Sequence, residues 1–191
     1  MAYSTGLLFL IGVLSFHLPE FQARPTDFWC NYQVRKKLEE RIEELSKNMV
    51  DCTGADTLPS PLLLPRVLVH AEEWTNKTLQ QKRREVVSTL QAFQEGLEGG
   101  RTESFAPCQI HVLRKLTHHV TTHLLIVQQI QIEDDTEIPS ESSTTEIHNS
   151  ITAVLGQFLR LLRGKVERLA VDLQESICSH RRTTEAPDSG V

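Results

Sequence analysis

Few residues in this chain are placed to do chemistry, and four of them are cysteines: Cys30, Cys52, Cys108 and Cys178. Their chemistry is oxidation, and in an oxidising compartment an even set is normally bridged. Histidine is the second candidate. His119 and His123 stand four apart, a spacing that puts two imidazoles on one helix face, and His118 lies beside them. No zinc-protease glutamate accompanies them and no third ligand is evident, so no metal and no cofactor are expected. Asn76-Lys77-Thr78 is the single N-glycosylation sequon, and its use requires Asn76 to face solvent. There is no glycine-rich phosphate loop and no GxSxG nucleophile motif. The four cysteines are expected in bridges and the carboxylates are scattered, so the chain reads as a binding protein and not an enzyme.

The N-terminus supplies the compartment. Gly6–Phe16 (GLLFLIGVLSF) is an apolar run of 11 residues, short of the about 20 that span a bilayer. It reads as the core of a secretory signal over residues 1–23, with cleavage near Ala23. Removing that segment takes away one charged residue, Glu20, from a chain of net charge −5. The acidic balance argues against bulk binding to nucleic acid or to an anionic membrane, though local basic patches can still matter. No later run is apolar enough for a membrane span. The remainder reads as one domain, 24–182, followed by a short polar tail, 183–191.

Four stretches carry helical periodicity. The first, about 28–50, places Val34, Leu38, Ile42, Leu45 and Met49 on one face and Arg35, Lys36, Lys37 and several glutamates on the other. The second, about 71–97, buries Trp74, Leu79, Val86, Leu90, Phe93 and Leu97, and Gly99-Gly100 stops it. The third, about 108–132, carries Val112, Leu116, Val120, Leu124, Val127 and Ile130. The last, about 146–178, aligns Ile151, Leu155, Phe158, Leu162, Val166, Leu169, Leu173 and Ile177. Trp29 and Trp74 read as core or cap residues. Between the first two helices, Pro59, Pro61 and Pro65 enforce extended chain. The stretch 133–145 (EDDTEIPSESSTT) reads as a flexible connection.

The connections run long, short, long. Long ones can return along a helix at about 3.3 Å per residue, whereas short ones join antiparallel neighbours. The expected fold is therefore all-α: a four-helix bundle, up-up-down-down, with two long crossover loops and two disulfides. Cys30 and Cys52 sit at opposite ends of one rod, about 30 Å apart by the helical rise, so they cannot bond. With two crossovers, Cys30 meets Cys178 at the bottom and Cys52 meets Cys108 at the top. A simple up-down-up-down bundle would strand Cys52.

Two segments carry a resemblance. Leu58–Trp74 reads LPSPLLLPRVLVHAEEW and Phe158–Leu169 reads FLRLLRGKVERL. With the four cysteine positions, over roughly Cys30–Arg182, they resemble the erythropoietin/thrombopoietin family of long-chain helical cytokines. RGKV is common to both branches, while the proline-rich crossover and the Cys52/Cys108 pair favour the thrombopoietin branch. The resemblance implies a monomeric, secreted haematopoietic cytokine that brings two copies of a class I cytokine receptor together and drives megakaryocyte or thrombocyte precursors. It implies Lys37, Pro65, Glu73, Arg163 and Lys165 as receptor-facing residues. Two positions depart from the family pattern: Asn31 follows the first cysteine where an acidic residue is usual, and Glu167 follows RGKV where a basic one is usual. Lys37 and Lys165 lie on adjacent antiparallel helices, where they are placed to share a basic patch. A plainer reading is a solvated face on which Arg163 pairs with Glu167 at i,i+4. Two rivals remain: an erythropoietin-like hormone acting on red-cell precursors, and a secreted helical carrier of an apolar ligand. An empty apolar pocket would favour the carrier, and a filled core the cytokine.

Overall fold

The computed structural model describes residues 25–49, 56–100, 105–130, 132 and 144–178. The expected signal segment, the tail, Cys52 and residues 133–143 of the acidic connection lie outside the described residues.

The first rod is two helices rather than one. Helix α1 spans Pro25–Cys30 and α2 spans Tyr32–Asn48. Asn31 separates them in an extended conformation, and its side chain accepts from the Gln33 N–H at 2.9 Å. A short polar side chain that satisfies an orphan donor starts a new helix there. The unusual residue after the first cysteine is thus the N-cap of α2.

The proline-rich crossover forms strand β1, Thr57–Pro65. It pairs antiparallel with β2, Thr145–Ser150, through Leu62↔His148, Leu63↔Ile147 and Leu64↔Glu146. The ladder is irregular between Thr57 and Leu62, where Pro59 and Pro61 have no N–H to donate. Residues 146–150 were expected as the start of the last helix, and the strand corrects that. Ser150 ends the strand and caps the helix, accepting from the Ala153 N–H at 3.1 Å.

The second rod is also divided, into α3 (Ala71–Asn76) and α4 (Leu79–Gly99). Thr78 and Gln81 form a reciprocal capping box that begins α4 afresh. Helix α5 spans Pro107–Gln128, with proline in its first turn. The fourth rod comprises α6 (Ile151–Leu161), a π-helical turn over Leu162–Val166, α7 (Glu167–Leu173) and a second π turn over Gln174–Cys178. Its buried residues recur at strict fours: Leu161, Lys165, Leu169 and Leu173, beside Val154, Phe158, Leu162 and Val166. An α-helix would carry such a column off the core by about 40° per step. The wider π turn, in which the Glu167 N–H reaches the Leu162 carbonyl, corrects the drift.

Rods one and two run up, and rods three and four run down. Cys30 is bonded to Cys178 with their Cα atoms 5.5 Å apart, joining the start of the first rod to the end of the fourth. Arg83 near the start of α4 donates to the Val127 and Gln128 carbonyls at the end of α5. At the other end, Asp56 accepts from the Thr152 N–H and hydroxyl, both at 2.8 Å, and Gln109 donates to the Thr57 carbonyl at 2.9 Å. The first crossover is thereby pinned to the starts of both descending rods. Cys108, in the first turn of α5, is disulfide-bonded. The expected apolar stripes form one core around Trp29, Phe93 and Phe158.

Two features of this core generate predictions. A Cβ on Gly96 would stand 2.1 Å from the Leu63 carbonyl oxygen, so β1 lies directly on α4 there. Gly96→Ala should lower stability by about 1–3 kcal/mol and expose the β1–β2 amides to hydrogen exchange. Unchanged exchange in those amides would show that the strand does not bear on the helix.

His123 is buried and stands nearly perpendicular to the rings of Phe28 and Phe158, with ring centroids 5.7 and 5.6 Å away, and its Nδ1 lies 2.7 Å from the His119 carbonyl. Burial pushes its imidazole down from 6.5 to about 4. The unfolded chain therefore takes up this proton first, and stability present above pH 6.5 is lost as pH falls toward 4, in total about 3 kcal/mol. His119 and His148 are also held low by burial and add to the same window. Urea unfolding of wild type and His123→Leu should diverge in slope between pH 6.5 and 5, above the usual carboxylate range. Parallel pH profiles would mean that His123 is solvated.

Candidate functional site

The residues singled out for partner contact fall along the seam of the first and fourth rods and beside the second. The seam is built around Arg35, which is buried although the sequence reading put it on the solvent face. Its guanidinium donates Nε and Nη2 to Glu167 at 2.8 and 3.0 Å, and Nη1 to the Phe28 and Trp29 carbonyls at 3.0 and 2.6 Å. One side chain thus caps the end of α1 and clamps the two rods. Glu167 is therefore not the partner of Arg163, contrary to the i,i+4 reading.

Arg163 stands above this clamp, half-exposed, and reaches across to Glu39 at 3.1 Å and to Glu43. Their hydrogen bonds hold its pKa above the usual arginine value. Lys165 lies only two residues on but faces the opposite side. It is buried, with its ammonium 2.8 Å from Glu85 and 3.5 Å from the Thr89 hydroxyl, both on α4. Lys37, exposed on α2, and Lys165 therefore do not share an exposed basic patch.

Glu73 and Lys165 are nevertheless connected. Glu73, exposed on α3, pairs with Lys77; Lys77 pairs with Glu85 at 2.8 Å; Glu85 holds Lys165. Burial pushes the Glu85 carboxyl up, but the hydrogen bonds and charges of Lys165 and Lys77 outweigh it and hold the group below its usual range. Glu73 is likewise held low by the hydrogen bond and charge of Lys77. Pro65 is buried at the end of β1, and its carbonyl accepts from Gln157 at 2.8 Å. Asn76 is exposed at the end of α3, as its sequon requires. Trp74 is buried, with its indole N–H donating to Asp172 at 3.0 Å. His119 and His123 do not present a metal pair, because His123 is enclosed in the core. The described residues contain no group of three or more potential ligands.

Arg35 was missed because its type was read before its spacing. It continues the three-and-four steps of Leu38, Ile42, Leu45 and Met49, and Lys165 sits in the buried column of Leu161 and Leu169. A double-mutant cycle tests the clamp. Glu167→Gln and Arg35→Met should each lower stability on the order of 3 kcal/mol, and the double variant by clearly less than their sum. Strict additivity in urea unfolding would show that the two side chains act independently.

Residues 27–181 match the erythropoietin/thrombopoietin family. The thrombopoietin of Canis lupus familiaris is 26% identical over 160 residues, covering 83% of this chain and 44% of that protein. The erythropoietin of Takifugu rubripes is 25% identical over 183 residues, covering 91% of this chain and 96% of that protein. The chain therefore spans less than half the length of the dog thrombopoietin it matches. At these identities the two relatives do not separate the branches.

Proposed function

Because this chain belongs to the erythropoietin/thrombopoietin family, we propose that it is a secreted haematopoietic cytokine that acts by binding and brings two copies of a class I cytokine receptor together. The observation that carries this reading is the locked seam of the first and fourth rods. A disulfide and a buried bidentate ion pair fix that face before any partner arrives, so little ordering opposes docking. Lys36 and Lys37, next in sequence to Arg35, are exposed on α2, and Arg163 stands half-exposed over Glu39 and Glu43. An acidic partner could displace Glu39 and Glu43 as the ligands of Arg163. Lys165 and Pro65 act as positioning residues: Lys165 anchors the π turn that aims Arg163, and Pro65 anchors the crossover through Gln157. Among the described helices none is long and apolar enough to cross a membrane.

The thrombopoietin branch is favoured by the proline-rich crossover and by the expected Cys52–Cys108 bond. The erythropoietin-like reading draws on a relative matched over nearly its full length. A carrier of apolar ligands has less support, since the core positions between the rods are filled by large side chains such as Trp29, Phe93 and Leu116.

Surface-plasmon binding to the thrombopoietin and erythropoietin receptor ectodomains of the same species separates the branches. Lys37→Glu and Arg163→Glu should each weaken binding to the true receptor by about 1–3 kcal/mol while the bundle stays folded by circular dichroism. Lys165→Met should instead lower the unfolding midpoint. Wild-type affinity in both charge-reversed variants would place the main contact on another face.

A further inference from the structure

The second rod carries none of the cations proposed for receptor contact, yet one of its carboxylates is tied to the turn that carries Arg163. Glu85, on α4, gives one oxygen to each of two ammonium groups. Its Oε1 lies 2.8 Å from Lys165 and its Oε2 lies 2.8 Å from Lys77. Lys77 ends α3, donating its backbone N–H to the Trp74 carbonyl, and pairs also with Glu73. One turn along α4, the Thr89 hydroxyl donates to the Glu85 carbonyl at 2.7 Å and accepts from Lys165 at 3.5 Å. Burial opposes the charge on Glu85, but the two ammonium groups hold its carboxyl below the usual range. Its side chain is 22% exposed and both oxygens are engaged, so Glu85 is poorly placed to touch a receptor itself.

Lys165 and Arg163 leave the same π turn, Leu162–Val166, on opposite sides. Such a turn is rare within an α-helical rod, so contacts from outside have to favour it. Gly164, between the two, has no side chain with which to fix the rotation of the turn. Lys165 does fix it, because a buried ammonium must keep its carboxylate. Without Glu85 that ammonium has to turn toward water, and Arg163 swings with it, away from Glu39 and Glu43. We infer, on the reading of Arg163 as a receptor contact, that Glu85 is a positioning residue for receptor binding: from another rod it sets the direction of Arg163 by holding Lys165. Through Lys77 the same carboxylate also holds α3, so the exposed Glu73 and Arg163 share one anchor.

Two readouts on the full-length protein test this. The first needs no receptor. Arg163 Nε donates to Glu39 at 3.1 Å, and Arg35 Nε donates to Glu167 at 2.8 Å. Exchange of these two Nε–H protons with water is followed by heteronuclear NMR. In Glu85→Gln the Arg163 proton should exchange at least about tenfold faster, while the Arg35 proton should stay as in the wild type. The second is surface-plasmon binding to the receptor ectodomain that takes the wild type. Glu85→Gln should weaken it about five- to tenfold, but less than about twofold in an Arg163→Ala background. Glu85→Asp keeps the charge and is one methylene short, so both effects should be intermediate; it carries the test if Glu85→Gln fails to fold. Equal loosening of the Arg163 and Arg35 protons would make Glu85 a general support of the bundle and overturn the proposal. So would an Arg163 proton unchanged in both Glu85 variants, or an equal loss of affinity with and without Arg163. Unchanged affinity in Glu85→Gln while Arg163→Ala is impaired would overturn the proposal and leave the receptor reading standing. Unchanged affinity in Arg163→Ala would overturn both.

Discussion

A buried guanidinium needs a full set of acceptors, and Arg35 finds them on two different elements, α1 and α7. Two of its donors go to a carboxylate on the fourth rod and another to carbonyls that α1 cannot satisfy itself. Removing water from such a group is expensive unless every contact is made. The first rod can therefore sit against the fourth only in the register that brings Glu167 opposite Arg35. That register also places Cys30 beside Cys178 and Arg163 over Glu39. The disulfide and the exposed ion pairs are secondary to this alignment: each needs the rods already in place.

The crossovers are the second organising element. In an up-up-down-down bundle two long connections must pass along the outside of the rods. Here they pair with each other as β1 and β2, so each satisfies the backbone groups of the other. Close approach to the helices depends on small residues beneath. Gly96 admits the Leu63 carbonyl, and Gly164, inside the π turn, leaves Val69 room where a Cβ would lie 3.2 Å away. The RGKV segment thus combines an outward arginine, a flat spot under the crossover and an inward lysine within one widened turn.

The apolar stripes and the unequal connections made the four rods, their directions and the Cys30–Cys178 bond legible in the sequence. The breaks at Asn31 and Thr78 were less visible, because a capping side chain within a long periodic stretch looks like any other polar residue. Strand β2 was not legible at all. Residues 145–150 take their conformation from a partner strand eighty or more residues earlier, and local pattern carries no trace of that pairing. At the candidate site, polar type was allowed to outweigh position. Arg35 and Lys165 stand in apolar columns, yet a charged residue was read as solvent-facing. The partners of Arg163 come from a different helix, which a rule about neighbours on one helix cannot reach.

The hydroxyl of Thr78 belongs to two different processes. As the third residue of Asn76-Lys77-Thr78 it completes the motif that a glycosyltransferase would read on an extended nascent chain. In the folded protein it accepts the Gln81 N–H and starts α4. Erasing the sequon at Thr78 with alanine would therefore remove a helix cap as well as a glycan signal, and a loss of secretion could not be attributed to either one. Serine at 78 would keep both roles, whereas glutamine at the exposed Asn76 would abolish only the sugar. The sequon thus lies where the longest of the described ascending helices begins.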